Sequence, residues 1–258
     1  MQIVTVSGFK GGTGKTTLAS LLGIAATLDG RRTAGLDLDP NTRNFGSVLT
    51  RRRASGLASP DHVAMVEFDP PLPRDERWLE SMVRMAREDG YDLLIIDTGS
   101  GKHEDLYQAH LLADVILTPL NESPADIHGL FALPGTPQAS KVNYRELIDM
   151  ARFGRKALGL PPQRWHVCRN RISHLQTRIG NIIARRVEAL GREAGFEEIW
   201  TLRDRVAHRS IGLDGRTVLD QPREGPLTMS ELAGRSEARA LLGMLDRPSV
   251  AQPVRMAA

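Results

Sequence analysis

The segment Lys10-Gly11-Gly12-Thr13-Gly14-Lys15-Thr16-Thr17 has the residue types needed to hold a triphosphate. Phosphate oxygens call for several backbone N–H donors aimed at one point. Gly11, Gly12 and Gly14 let the chain approach closely and take positive φ. Lys15 supplies a point charge between the β- and γ-phosphates, and Thr16 offers a hydroxyl to Mg²⁺. Two carboxylate runs stand further along: Asp37-Leu38-Asp39-Pro40, and Asp97-Thr98-Gly99-Ser100-Gly101 after an apolar stretch. A carboxylate facing a phosphate loop suits metal-assisted chemistry. No guanine-reading Asn-Lys-x-Asp occurs, which favours ATP over GTP.

These groups must be placed by strands and helices. Gln2–Ser7 is β-branched and apolar, Thr16–Leu28 has apolar residues at helical spacing, and Thr33–Leu38 is again strand-like. A strand, loop, helix and strand within this span make a βαβ unit, which demands a parallel sheet. Helices are expected over Arg74–Glu88 and about 103–112, 140–158, 174–194 and 229–245; strands over Tyr91–Asp97, Asp114–Pro119 and Arg164–Arg169, with a further one possible within His62–Phe68. The pattern reads as a single α/β domain over 1–246, with a doubly wound, mostly parallel sheet, and a loose tail over 247–258.

Composition narrows the class. Among 258 residues no apolar run approaches the roughly 18 needed to span a bilayer. Met1–Val6 lacks a charged leader region, so a cytoplasmic location is expected. Cys168 is the only cysteine, which excludes an intrachain disulfide and a multi-cysteine metal site. The seven histidines show no metal spacing, and Trp78, Trp165 and Trp200 are expected in the core. The net charge is only +3, but Arg164–Arg209 holds ten arginines against five acids, a net of +5 that leaves −2 for the rest. Arg178, Arg185 and Arg192 are spaced by seven with Arg186 beside them, so they share a helix face; Arg203, Arg205 and Arg209 follow. Such a stripe suits the DNA backbone or a solvated face balanced by Glu188 and Glu193.

Lys10 stands five residues before Lys15, and Phe9 occupies the place of the usual first glycine. In this the sequence resembles the deviant Walker A ATPases, which include the ParA and MinD proteins. The resemblance implies that Lys10 reaches a partner's nucleotide across an ATP-bound homodimer, with Gly11 in the seam. It implies that Asp39 positions the attacking water, that Asp97 holds Mg²⁺ through water, and that Asn170 contacts adenine. Gly99 replaces the proline that usually follows the Asp-Thr pair.

Later segments are similar to the MipZ ATPases: Arg43 with Arg51-Arg52-Arg53, Thr118-Pro119-Leu120-Asn121 before Asp126, Arg169-Asn170-Arg171-Ile172, Leu202–Val206, Thr217-Val218-Leu219-Asp220 and Ala238–Leu242. That likeness implies a slow ATPase whose ATP dimer binds DNA nonspecifically, on the nucleoid. It also implies meetings with a ParB-like centromere-binding protein and the tubulin-like division protein FtsZ. Ile179-Gly180-Asn181-Ile182 stands where such proteins are more basic, which leaves a protein partner open for this face. A plasmid-partition ParA or a VirC1-like DNA-associated ATPase is the nearest alternative. A MinD-like membrane cycle is disfavoured by Pro248 and Pro253 near the end, so no stable membrane attachment is expected.

Overall fold

In the computed structural model, residues 1–8, 10–62, 77–99, 103–123, 126–127, 143–172, 178–203, 211–222 and 225–246 are described. Seven strands form one sheet: β1 (Gln2–Val6), β2 (Thr33–Asp37), β3 (Asp61–His62), β4 (Leu93–Asp97), β5 (Val115–Asn121), β6 (Arg164–Ile172) and β7 (Glu197–Arg203). Their spatial order is β3-β2-β4-β1-β5-β6-β7, and every pairing is parallel. The helices are α1 (Lys15–Leu28), α2 (Asn44–Ala54), α3 (Trp78–Glu88), α4 (His103–Leu112), α5 (Tyr144–Ala157), α6 (Arg178–Ala194), α7 (Ile211–Asp214) and α8 (Met229–Gly243).

The strands are apolar on both faces because helices cover both faces. Val4, Val6, Leu93, Ile95, Val115 and Leu117 point to one side, where they pack with α1, α8 and Phe45 and Leu49 of α2. Alternate residues point to the other. Ile3, Leu94 and Ile96 meet α3, while Ile116, Trp165 and Val167 meet α5 and α6. This is the doubly wound arrangement expected from the sequence. Trp78 and Trp165 are buried in it, as expected. Among the described residues no helix is long and apolar enough to cross a membrane.

Parallel strands put all their C-terminal ends on one edge, and ligands of such sheets gather there. Val6 and Asp37 both stand in register with Asp97, and Asn121 stands in register with Asn170. The groups singled out by the sequence therefore line one rim.

Several elements differ from expectation, among them the short α7 over Ile211–Asp214, which the sequence pattern does not announce. The α2 helix has no counterpart in the sequence pattern, because Gly46, Thr50 and three successive arginines blur its periodicity. The same holds for β7, whose charged residues hide an edge strand. β6 runs to Ile172 rather than Arg169, with irregular pairing to β7 after Arg169. Of the possible His62–Phe68 strand, Asp61–His62 pairs with β2 and the remainder lies outside the described residues.

Candidate functional site

The chain leaves β1 at Val6, turns through the glycine loop and enters α1 at Lys15. Gly12 and Gly14 have φ of 77° and 98°, the left-handed region that favours glycine. Gly11 does not share it, so the expectation of positive φ is met at two of the three glycines. Gly11 instead has open space around its α-carbon. At Gly14 a side chain is also excluded by contact, since a β-carbon there would fall 2.0 Å from Asn170 Nδ2.

Lys15 is 6% exposed and donates to the Lys10 carbonyl at 2.8 Å. Burial lowers its pKa, and the charges of Asp97 and Asp39 oppose that shift. Thr16 Oγ1 donates to Asp97 Oδ2 at 2.6 Å, while Asp97 Oδ1 accepts from the Gly99 N–H at 3.1 Å. Asp97 is fully buried, and that burial raises its pKa to about 6, against the Thr16 bond. A wholly buried carboxylate held by one hydroxyl and one N–H donor, its pKa still raised although Lys15 acts as a counter-charge, is an electrostatic setting that a cation would relieve. Thr16 and Asp97 therefore fit a Mg²⁺ site.

Asp37 and Asp39 divide their tasks. Asp37 Oδ1 accepts from the Asp39 N–H at 2.9 Å and its Oδ2 from the Gly46 N–H at 3.0 Å, in the first turn of α2. Burial raises its pKa. It ties the β2 end to α2. Asp39 is held by its own loop, with Oδ1 accepting from the Asn41 and Thr42 N–H groups and Oδ2 from the Thr42 hydroxyl.

Lys10 is half exposed, and its ammonium donates at 2.6 Å to Asp126 Oδ1, a side chain only 2% exposed. Asp126 Oδ2 accepts from the Asn121 N–H. Asn170 lies against the loop rather than apart from it. Its Nδ2 donates to the Thr13 carbonyl at 2.7 Å, and its Oδ1 accepts from the Arg171 N–H.

Beneath the loop lies a buried polar network that the sequence does not signal. Ser7 bonds His110 Nε2 at 2.7 Å and also the Tyr144 hydroxyl. Thr118 joins Tyr144 and the Trp165 indole, each at 3.0 Å. Burial pushes His110 down to about 3 and Tyr144 up to about 12, so both are neutral. The network ties α4 and α5 to the strand that feeds the loop.

The arginine stripe lies on another element. Arg178, Arg185, Arg186 and Arg192 lie exposed on α6, whose opposite side buries Ile183, Val187 and Leu190. Arg192 pairs with Glu188 at 2.7 Å, and Arg203 is exposed at the end of β7. Ile179 and Ile182 are exposed among these arginines, at 61% and 59%. Arg205, Arg209, Lys102 and the 247–258 tail lie outside the described residues.

The parallel sheet, the glycine loop capped by Lys15 and Thr16, and the facing Asp97 define a P-loop nucleotide-binding protein of the deviant Walker A kind. Residues 2–249 match the family described as ATPase MipZ, and the chain belongs to that family. Protein virC1 of Rhizobium radiobacter is 35% identical over 130 residues, which are 49% of this chain and 52% of that protein. The chain thus spans about half the length of the curated relatives it matches. Among solved structures, the McdA–ATP complex of Cyanothece superposes with a TM-score of 0.66 at 13% identity, covering 98% of this chain and 99% of that one. MinD of Pyrococcus horikoshii with Mg-ADP does so with a TM-score of 0.60 at 16% identity, covering 95% and 96%.

Proposed function

We propose that this protein is an ATP-dependent dimerisation switch that positions division or segregation machinery. The observation that carries the reading is the joint placement of Lys15, Thr16 and Asp97 on the inside of the loop and Lys10 at its exposed mouth. Lys15 and the loop N–H groups bind the phosphates, with the α1 N-terminus adding its partial positive charge. Thr16 and Asp97 hold Mg²⁺, which supplies charge neutralisation at the phosphates when bound. Asp39 orients the water, and Lys10 with Gly11 forms the seam of the homodimer.

In this reading Asn170 supports the nucleotide loop through the Thr13 carbonyl, with the adenine contact that the family resemblance implies as the alternative. The dimer carries two copies of the α6 arginine face, and Arg203, Arg205 and Arg209 are further candidates for the same contact. Doubling the stripe suits nonspecific, salt-dependent binding to DNA on the nucleoid. The protein partners in this reading are a ParB-like centromere-binding protein and FtsZ. Slow hydrolysis returns the chain to monomer. A plasmid-partition ParA or a VirC1-like DNA-associated ATPase is the second reading, supported by the identity to protein virC1 over about half of the chain.

Mass by light scattering, with and without ATP and using Asp39→Ala to block turnover, tests the core of this. The expected result is a monomer that becomes a dimer on ATP and only then binds duplex DNA. A chain that stays monomeric with ATP removes the cross-dimer role of Lys10 and points to a metabolic ATPase instead.

A further inference from the structure

Two exposed apolar patches have no part in the proposed function, one on α6 and one between α4 and α5. Ile179 and Ile182 are both well exposed on α6. Arg178 lies four residues before Ile182, and Arg185 and Arg186 lie three and four after it, so these cations flank it on the helix surface. Among the described residues none of the three has a carboxylate partner. The acids of this face are already engaged, Glu188 with Arg192 and Glu193 with Arg145 of α5. DNA phosphates would use the arginines and leave the isoleucines unused. The patch calls for a surface that is both acidic and apolar.

Such a surface lies on the same chain. A groove of about 580 Å³ between α4 and α5 is lined by Tyr107, Met150, Phe153, Glu146 and Asp149. Met150 and Phe153 are exposed, Phe153 at 75%. The charged residues described in the lining are both acids. Asp149 meets Arg145 at 3.5 Å and Arg152 at 3.2 Å. Both arginines also reach toward the end of α6, Arg145 to Glu193 and Arg152 to the carbonyls of Ala194 and Gly195. Glu146 accepts from the Asn143 N–H and has no cation partner among the described residues. Patch and groove are both exposed, so they do not cover each other within one chain.

We propose that the groove is a docking site for a second copy of this chain: Ile179 and Ile182 of one copy enter the Tyr107–Phe153 groove of the next, and the flanking arginines face Glu146 and Asp149. Opposite charges set the register and the apolar side chains supply the burial. The contact joins two different surfaces, so each added copy leaves one patch and one groove free, and copies add in a row. It is separate from the ATP-dependent dimer of the proposed function, whose seam is at Lys10 and Gly11. An interface this small, under about 1,200 Å², is a weak one that needs a high local concentration.

Sedimentation equilibrium of the full chain, without nucleotide or DNA and over roughly 5 to 200 µM, tests this. The average mass is expected to rise past that of a dimer. Ile182→Glu sets an acid against the acidic groove, and Phe153→Ser removes an apolar wall. Each is expected to weaken association at least about tenfold, with thermal melts to verify folding. An equimolar mixture of the two variants is expected to give a dimer and nothing larger, because one intact patch and one intact groove remain. Raising salt to about 0.5 M is expected to weaken wild-type association several-fold, since the charges are screened. A wild-type chain that stays monomeric would overturn the proposal and leave each face to a different partner. A mass that stops at two copies, variants that assemble like wild type, a mixture that stays monomeric, or indifference to salt would each overturn it as well. Nucleotide is left out, so failure here is distinct from failure of the ATP-dependent dimer.

Discussion

Lys10 forms an ion pair with Asp126 of its own chain, 2.6 Å from ammonium to carboxylate, and the carboxylate is buried while the lysine is half exposed. In the proposed function Lys10 serves the partner's nucleotide, so this pair must open on dimerisation. A pair with one half-exposed member contributes roughly 1 kcal/mol. Asp126→Asn is therefore expected to lower the ATP concentration for half-maximal dimerisation by about fivefold. Light scattering across an ATP series measures it. An unchanged midpoint would mean that Lys10 leaves Asp126 at no cost or never leaves.

Asn170 is expected to act through the loop it touches. Its Nδ2 donates to Thr13, and it occupies the space that a side chain at Gly14 would need. Asn170→Ala removes this support from the loop. ATP and GTP affinities are then expected to fall together, by roughly tenfold, since one buried carbonyl loses its donor. Calorimetry with both nucleotides decides the point. A loss confined to ATP would assign Asn170 to the base instead.

The rim chemistry is legible in the sequence because it is local. A glycine loop, a strand-ending aspartate and a spaced lysine declare themselves by type and interval. Long-range pairing between segments that look ordinary alone is not legible. Nothing in Ser7, His110 or Tyr144 announces a shared network, since the contacts span more than a hundred residues. The α2 helix is hidden for a related reason. Its Arg52 reads as one of three surface arginines, yet it is fully buried and directed inward by distant acceptors.

Arg52 uses all five of its N–H groups, on the carbonyls of Ala58 and Gly215 and both carboxylate oxygens of Asp220. The bonds join α2, which follows the Asp39 loop, to the segment before α8. Asp220 is held below its usual pKa chiefly by the Arg52 bond, against burial. Breaking such a pair leaves a buried charge alone, at a cost of roughly 3–5 kcal/mol. Arg52→Ala is expected to lose about that much in denaturant unfolding. Arg53→Ala, whose side chain is 62% exposed, is expected to change stability by less than about 0.5 kcal/mol. Equal effects would show that the buried arginine is not a structural tie.

Two buried groups make opposing contributions to stability between about pH 4 and 6. His110 is neutral in the fold with a pKa of about 3, against 6.5 for the free side chain. The unfolded chain then binds the extra proton, so this contribution is full above pH 6.5 and is lost as pH falls. Asp97 runs the other way. Its pKa rises from 3.8 to about 6, so the fold binds the extra proton and gains stability as pH falls through that range. Each slope is about 1.4 kcal/mol per pH unit, and together they nearly cancel. Asp37, raised by burial, adds to the Asp97 direction, while Asp220, lowered by Arg52, adds to that of His110. The nucleotide-free protein is therefore expected to show a flat stability profile between pH 4 and 6. Asp97→Asn is expected to be more stable than wild type at pH 7, on the order of 2 kcal/mol, because it removes a buried charge. The same variant should become steadily less stable on acidification, exposing the His110 slope. Denaturant melts at several pH values measure both. A variant that stays flat on acidification would show that His110 does not remain neutral in the fold.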